Sequence, residues 1–260
     1  MEVHHHPHSP AEKKKWATYV WEFLMLFLAV FFGFFAENRR EHISEANRAT
    51  EYAKSLLSDL RDDSIELRSA IHETTFLASA WDSVVAIISG NKSNTDVPGT
   101  FYYYSRFASN AFSIDWSRST LNQLILSGNL RYFEDKELVN KINNYYAQQE
   151  LITSKNKTDW DHRSKVTETR NKIIDSKYYQ TFVSLDMTDA ANGERPSTKI
   201  DSLLNKRLPL QKDADKSMGS FLNDLIDRSW RNRTYIDDYK SALQMVEEII
   251  NKLKKEYNLK

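Results

Sequence analysis

The pattern of hydrophobic and polar positions begins with a nearly uninterrupted apolar run from Trp16 to Ala36, broken by one formal charge, Glu22. A helix over these residues is about 31 Å long at ~1.5 Å per residue, which matches a hydrocarbon core of ~30 Å. A cleaved signal peptide is the alternative, but a cut after Ala36 would put Phe34 where a small residue is needed. The pattern therefore predicts an uncleaved transmembrane helix.

After this run, apolar residues recur at alternating steps of three and four, which indicates a helix that packs along one seam. No Pro or Gly interrupts the segment 37–90 before Gly90. The transmembrane helix is therefore predicted to continue into a stalk helix that ends at Gly90. The members of the series are Ala46, Ala49, Ala53, Leu56, Leu60, Leu67, Ile71, Thr74, Ala78, Trp81, Val85 and Ile88.

The segment 213–260 carries a second, longer series with the same spacing, which predicts a long helix of a coiled coil or bundle. Two of its seam positions, Ser229 and Asn232, are polar, and such positions set the register or the number of partners. The full series is Met218, Leu222, Leu225, Ser229, Asn232, Ile236, Tyr239, Leu243, Val246, Ile250, Leu253 and Tyr257.

The middle region, 91–188, is predicted to be helical. Ser117 or Ser119 is suited to cap a short helix, and another helix begins near Asp135. Residues 189–212, which include the sequence DAANGERPSTK, are predicted to form a loop. Aromatic residues are dense after the first loop, in the run FYYY at 101–104, and we interpret them as core rather than as a platform for sugars or peptides.

These elements predict an all-α fold in which the stalk packs antiparallel to the long C-terminal helix and short middle helices cap the far end. The chain has only 6 Gly and 5 Pro, which agrees with long helices. The predicted divisions are a His- and Lys-rich tail at 1–15, the transmembrane helix at 16–36, the stalk helix at 37–90, the middle helical region at 91–188, the loop at 189–212 and the C-terminal helix at 213–260.

Composition narrows the possible chemistry. Lys+Arg and Asp+Glu both number 36, so no basic excess supports nucleic-acid binding. There is no Cys, which excludes disulfides, thiolate nucleophiles and Cys-bound metals. No nucleophile elbow, phosphate loop or zinc-protease motif is present, and the pairs His72–Glu73 and Asp161–His162 are interpreted as solvated helix surface. We therefore expect a protein that is not an enzyme and has no cofactor.

Aromatic residues mark the first turns of the predicted span. Trp16, Tyr19 and Trp21 are suited to anchor it at the headgroup level. Glu22 follows directly, and two interpretations stay open: it lies at the membrane interface, or it is an intramembrane site for an ion or a hydrogen bond.

Small residues share one face of the same span. Ala29, Gly33 and Ala36 lie at steps of four and three, on the side of Glu22, and small residues at this spacing allow two membrane helices to approach closely. We expect this face to mediate association, either with further copies of the chain or with a multi-span membrane partner.

The N-terminal tail contains a group of histidines that is a candidate metal site, because imidazole binds Zn, Cu and Ni. A tail whose charge responds to pH is the alternative interpretation. The group consists of His4, His5, His6 and His8.

Charges on the two flanks of the span bear on its orientation. Lys13, Lys14 and Lys15 precede the span, whereas the arginines after it alternate with glutamates. A triple-Lys tail is hard to translocate, so the N-terminus is predicted to be cytoplasmic and the C-terminal domain periplasmic, in a bacterial inner membrane.

Two resemblances extend this interpretation. The segments MEVHHHPH, KKKW, WEFLMLFLAVFFGFFAEN and STLNQLILSGNLRYFEDKELVNKINNYY resemble an uncharacterised family of single-pass helical bacterial membrane proteins, a domain of unknown function. That resemblance implies membrane anchoring and a helical soluble domain. Separately, YVWEFLMLFLAVFF is similar to the span of ion-driven motor B-type subunits, which would make Glu22 the ion-carrying residue, although those subunits use Asp.

The leading functional hypothesis is a non-enzymatic, membrane-anchored helical scaffold that oligomerises through its span and presents an extracytoplasmic domain. One alternative is an ion-conducting or motor-like subunit that uses Glu22. Another is a metal- or pH-responsive sensor that uses the N-terminal histidines.

Overall fold

Helices account for about 77% of the chain in the computed structural model, which describes residues 16–93, 95–194 and 196–260. The predicted all-α class is confirmed. The helices are α1 (Trp16–Gly90), α2 (Gly99–Ser105), α3 (Ser119–Leu126), α4 (Lys136–Thr158), α5 (Trp160–Asn171), α6 (Ser176–Tyr179), α7 (Met187–Ala191), α8 (Thr198–Leu204) and α9 (Asp215–Tyr257), and the two strands of the described residues are β1 (Asp96–Pro98) and β2 (Arg207–Pro209).

The chain forms two compact units, Met1–Glu51 and Tyr52–Lys260, and α1 contributes residues to both. The described part of the first unit, residues 16–51, belongs to α1. The hydrophobic clusters found among the described residues belong to the second unit. One surrounds Trp81, Phe101 and Phe221, and the other surrounds Leu60, Tyr145 and Val246.

In the second unit, α1 and α9 run antiparallel, as the two apolar series predict. Arg68 forms an ion pair with Glu247 at 2.5 Å, and Asp82 forms one with Arg233 at 2.6 Å. Rising residue numbers in α1 therefore meet falling numbers in α9. Both helices use their seams within one chain.

The polar seam positions of α9 are buried together with their apolar neighbours. Ser229 donates its hydroxyl proton to Oδ1 of Asp82 at 2.8 Å. Asn232 is 3% exposed, and its Nδ2 atom has no partner among the described groups. The Ser229–Asp82 bond ties one position of α9 to one position of α1, so it specifies the register between them.

Of the middle helices, α2, α7 and α8 lie at the far end of the bundle as predicted, since Phe101, Ala190 and Ile200 belong to the cluster around Trp81 and Phe221. Helix α4 does not cap that end, and for α4 the prediction is wrong. Helix α4 begins after Asp135, as predicted, because the Oδ1 atom of that residue accepts bonds from the N–H groups of Glu137 and Leu138. It then runs beside α9 as a third long helix. Two ion pairs join α4 to α9 in antiparallel order, Lys141–Glu248 and Lys155–Asp238, both at 2.5 Å. Its buried residues are Leu138, Ile142, Tyr145, Gln149 and Ile152.

The segment 189–212, predicted to be a loop, contains helix α8 and strand β2. Strand β2 pairs antiparallel with β1, with Val97 opposite Leu208. Ile200 and Leu208 are both buried, at 3% and 2% exposure. The polar start of the segment, with Gly193 and Pro196, concealed these two apolar anchors, which hold it against the bundle.

Helices α2 and α8 approach each other closely at Gly99. The N–H of Gly99 donates to the carbonyl of Lys206 at 2.8 Å. A Cβ atom at Gly99 would lie 1.9 Å from the carbonyl oxygen of Leu203, so no side chain fits there.

The aromatic residues after β1 form core, as predicted. Phe101 and Tyr102 are fully buried, and Tyr103 and Tyr104 pack partly buried against the same cluster. The Tyr102 hydroxyl donates to the carbonyl of Pro209 at 2.5 Å and accepts the N–H of Asp175 at 2.9 Å. One buried ring therefore joins three segments.

Candidate functional site

Within the first unit, the predicted span is an α-helix whose apolar side chains are not buried by the described residues. Phe23, Phe27 and Phe31 stack along one side, with ring centroids 6.4 and 6.1 Å apart. Phe34 is 74% exposed and Trp16 is 82% exposed. Among the described residues, α1 is the helix long and apolar enough to cross a membrane, and none of that stretch is buried. The segment is therefore a candidate membrane span.

The residues proposed for this span all lie on exposed parts of α1. Trp16, Tyr19 and Trp21 occupy its first turns, and Glu22 follows them. Ala29, Gly33 and Ala36 are also exposed.

A Cβ atom added at Gly33 would meet no atom within 4 Å. Among residues 16–51 of the first unit, nothing covers the small-residue face at Gly33. The histidines proposed to bind metal, at positions 4, 5, 6 and 8, lie outside the described residues.

The second unit contains a carboxylate that sequence analysis missed. Asp63 is 1% exposed, and it occupies the α1 seam between Leu60 and Leu67. Its Oδ2 atom accepts bonds from the Tyr145 hydroxyl at 2.5 Å and from Nε2 of Gln149 at 2.9 Å. Burial raises the pKa of Asp63, and these hydrogen bonds oppose that rise. The sequence contained a signal for this position: the apolar series of α1 passes from Leu60 directly to Leu67, a step of seven instead of three or four.

Two carboxylates of α1, one turn apart, hold the start of α3. Oδ1 of Asp63 accepts the N–H of Ser117 at 2.8 Å, and Oδ2 of Asp59 accepts the N–H of Thr120 at 3.0 Å. Helix α3 ends at Leu126, but Ser117 and Ser119 do not cap it with their side chains. A carboxylate from another helix satisfies its free N–H group and interacts favourably with the helix dipole.

A cleft of about 460 Å³ lies between residues 113–118, which precede α3, and the C-terminal part of α4. The indole N–H of Trp116 donates to Oγ1 of Thr153 at 3.2 Å. Arg118 pairs with Glu150 at 2.5 Å. The charged groups of the cleft are thus partly engaged with the chain itself. Its lining residues are Ser113, Ile114, Asp115, Trp116, Arg118, Thr153, Asn156 and Lys157.

A buried ion pair joins α9 to the junction of α4 and α5. Arg228 is 2% exposed and Asp159 is 4% exposed, and Nη2 of Arg228 lies 3.2 Å from Oδ2 of Asp159. The guanidinium also donates to the carbonyls of Ala108 and Asn110 and lies 4.7 Å from the ring centroid of Trp81. Burial lowers the pKa of Arg228 to about 10, and Asp159 opposes that shift. The guanidinium remains protonated at neutral pH.

The interpretation of Glu73 as solvated surface is wrong, because the residue is 6% exposed. Its Oε1 atom accepts the hydroxyl proton of Thr188 at 3.1 Å, which ties α1 to α7. Burial raises the pKa of Glu73. Neighbouring His72 is exposed and lies 3.2 Å from the side-chain oxygen of Asn192.

Comparison with known proteins gives no relative from which a site could be transferred. No family model, curated protein or solved structure matches the chain. Among residues 16–93, 95–194 and 196–260, no group of three or more His, Asp or Glu side chains is arranged to hold a metal ion. The candidate sites therefore rest on the geometry of this chain alone.

Proposed function

We propose that the protein is a membrane-anchored helical scaffold that associates through the span at 16–36 and presents the bundle of Tyr52–Lys260 to partners outside the cytoplasm. The observation that carries this proposal is the exposed apolar stretch of α1. A soluble helix buries its apolar face, whereas a lipid-facing helix leaves its apolar side chains outside the protein.

Association through the span is favoured by its small-residue face. Lipid tails are as apolar as Leu or Phe, so helices in a membrane gain stability from close packing rather than from water exclusion. Ala29, Gly33 and Ala36 leave room for a neighbouring backbone, and no described residue of the first unit occupies the space beside Gly33. A second copy of the chain is the simplest occupant.

A non-enzymatic role is supported by the way in which the buried charges of the bundle are used. Asp63 binds the N–H of Ser117 and two side chains, and Arg228 binds two carbonyls and Asp159. These hydrogen bonds join helices to one another and to the segment between α2 and α3. A structural role accounts for their burial without a reaction.

Crosslinking in native membranes tests association. The Gly33→Leu variant should lose most of the crosslinked oligomer, because a Leu side chain separates the two backbones. Phe31→Leu is the matched control, since position 31 lies on the opposite side of the helix and Leu keeps the span apolar. A wild-type protein that stays monomeric, or a Gly33→Leu variant that crosslinks as well as Phe31→Leu, would contradict the proposal.

Protease added to spheroplasts tests the orientation. With the N-terminus inside, as the lysines before the span favour, added protease should digest the bundle while a tag on the N-terminal tail stays protected. Protection of the bundle in intact spheroplasts, with digestion only after lysis, would place it and its partners in the cytoplasm.

A further inference from the structure

Arg170 is a buried cation near the end of α5. Arg170 is 6% exposed, and its guanidinium carbon lies 5.0 Å from the ring centroid of Tyr179. Its Nε and Nη2 atoms both donate to the side-chain oxygen of the adjacent Asn171, at 3.3 and 3.1 Å. The third nitrogen, Nη1, donates to no described group and keeps solvent-accessible surface. Nη1 is therefore the nitrogen of this guanidinium that has no partner among the described groups.

No described carboxylate forms an ion pair with Arg170. Nearby acidic groups are engaged elsewhere: Glu168 pairs with Lys172 at 2.7 Å, and Asp224 pairs with Lys165 at 3.2 Å and accepts the hydroxyl proton of Thr169. Arg228, the other deeply buried arginine, has Asp159 as its counter-charge. The two arginines are buried to a similar degree, but only Arg228 is neutralised by the chain.

A second guanidinium reaches the same segment of the chain. Nε of Arg106 donates to the carbonyl of Val183 at 3.1 Å, and Val183 lies one turn after Tyr179, on which Arg170 stacks. Nη1 of Arg106 donates to the side-chain oxygen of Asn110 at 3.2 Å. Burial lowers the pKa of Arg170, Tyr179 opposes that shift, and the positive charge of Arg106 adds to it. Arg106 likewise has no ion pair with a described carboxylate.

We propose that Arg170 and Arg106 form a binding site for a phosphate-type oxyanion. A buried charge is costly unless an opposite charge accompanies it, and two like charges add to the cost. An oxyanion supplies the missing charge and accepts the parallel N–H bonds for which a guanidinium fork is suited. The free Nη1 edge of Arg170 is the place where it would bind. This inference is independent of the proposed scaffold function, since association through the span does not require it.

Thermal unfolding of the full chain in maltoside micelles tests the site. Inorganic phosphate is titrated against chloride at constant ionic strength, and sulfate is run in parallel. Both anions also stabilise proteins generally, because they are excluded from the protein surface. Binding at the site is distinguished by a rise in midpoint temperature that saturates as the anion concentration increases. Two variants remove donors from the site, Arg106→Gln and Arg170→Met, and Arg68→Gln is the control for loss of an exposed arginine.

The wild type and Arg68→Gln should show the same saturable rise with phosphate. Arg106→Gln should weaken the apparent phosphate affinity at least about tenfold, because it removes a charge from the site. Arg170→Met should abolish the saturable response. Equal responses in the wild type and Arg106→Gln, or no saturable rise with either anion, would overturn the proposal, and Arg106→Gln gives this answer even if Arg170→Met fails to fold.

A further arm distinguishes a free oxyanion from a lipid phosphate. An anionic phospholipid is added to the maltoside micelles in place of inorganic phosphate. A rise with inorganic phosphate alone identifies a soluble ligand. A rise with the phospholipid that Arg106→Gln removes identifies a headgroup, and both results support an oxyanion site.

Discussion

The Tyr145 hydroxyl donates a 2.5 Å hydrogen bond to Oδ2 of Asp63, and both residues are 1% exposed. This contact joins α4 to α1 at the one seam position of α1 where the apolar series is interrupted. Gln149 donates to the same oxygen. The carboxylate therefore specifies which turn of α4 lies beside which turn of α1.

Replacing Tyr145 by Phe should lower the free energy of unfolding by about 2 kcal/mol, because it removes a hydrogen bond to a charged group. Neighbouring Tyr146, which is partly buried, provides the control, and Tyr146→Phe should change stability by less than about 0.5 kcal/mol. Urea unfolding of the full chain in micelles, followed by circular dichroism, measures both. Equal effects of the two substitutions would show that the Asp63 contact contributes nothing.

The raised pKa of Asp63 predicts a specific pH dependence. Between its ordinary value of 3.8 and the higher folded-state pKa, the folded chain keeps a proton that the unfolded chain releases. Wild-type stability should therefore fall relative to Asp63→Asn as pH rises through this window, by about 1.4 kcal/mol for each unit of pKa difference, and then level off. Urea unfolding of both proteins from about pH 4 to 7 measures the difference. A difference that is constant with pH, or that grows in favour of the wild type, would contradict the assignment.

The buried Arg228–Asp159 pair should be sensitive to loss of one partner. Asp159→Asn leaves the guanidinium of Arg228 without its counter-charge, and we expect a loss of about 3 kcal/mol in the free energy of unfolding. The control is Glu247→Gln, which breaks the exposed pair with Arg68 and should cost less than about 1 kcal/mol. Chemical denaturation compares them. A loss for Asp159→Asn as small as that for Glu247→Gln would mean that the carbonyls of Ala108 and Asn110 suffice for Arg228.

Replacement by Ala should lower the stability of the protein at Gly99 and raise it at Gly219. Gly99→Ala forces a Cβ atom against the carbonyl of Leu203, so the contact between α2 and α8 must open, at about 2 kcal/mol. Gly219→Ala adds a methyl group to the interior of α9 with nothing within 4 Å, and should stabilise the protein by about 0.5–1 kcal/mol. Midpoint temperatures of the two variants should lie on either side of the wild type. A Gly99→Ala variant with an unchanged midpoint temperature would show that α8 is free to move.

Glu22 distinguishes the scaffold from an ion-conducting subunit. If Glu22 joins helices by hydrogen bonding, Glu22→Gln should keep the crosslinked oligomer and Glu22→Leu should weaken it, because Leu cannot form that bond. If the residue carries protons, Glu22→Gln should abolish function while assembly stays intact, since an amide cannot exchange a proton in the same way. We expect the first outcome. Complementation of a deletion strain, measured together with crosslinking, distinguishes the hydrogen-bonding role of Glu22 from the proton-carrying role.

The two long helices could be predicted because their packing is periodic along the chain. Leu56, Leu60, Leu225 and Val246 are each visible as members of a series with steps of three and four. The same reasoning passed over Asp63, since a carboxylate breaks an apolar series and reads as surface. Its three donors come from residues more than fifty positions away, so only the tertiary structure shows that the position is buried.

Charged residues were the main limit of the sequence analysis. Arg228, Arg170 and Glu73 lie on helices rich in exposed charges, and nothing local separates them from their solvated neighbours. Burial of each one is decided by which distant segment lies over it: residues 108–110 for Arg228, Tyr179 for Arg170 and Thr188 for Glu73. Local propensity contains none of this information.

The antiparallel pairing of α1 with α9 sets an order of events during synthesis. Helix α1 ends at Gly90, and its antiparallel partner α9 begins only at Asp215. Until α9 has been made, Leu60, Leu67 and Trp81 lack the part of their clusters that α9 supplies. A ribosome adds roughly 5–20 residues per second, so the nascent chain exposes an apolar seam for several seconds. The bundle thus closes late, by contacts between residues distant in sequence, which favours slow folding and a need for chaperones on the way.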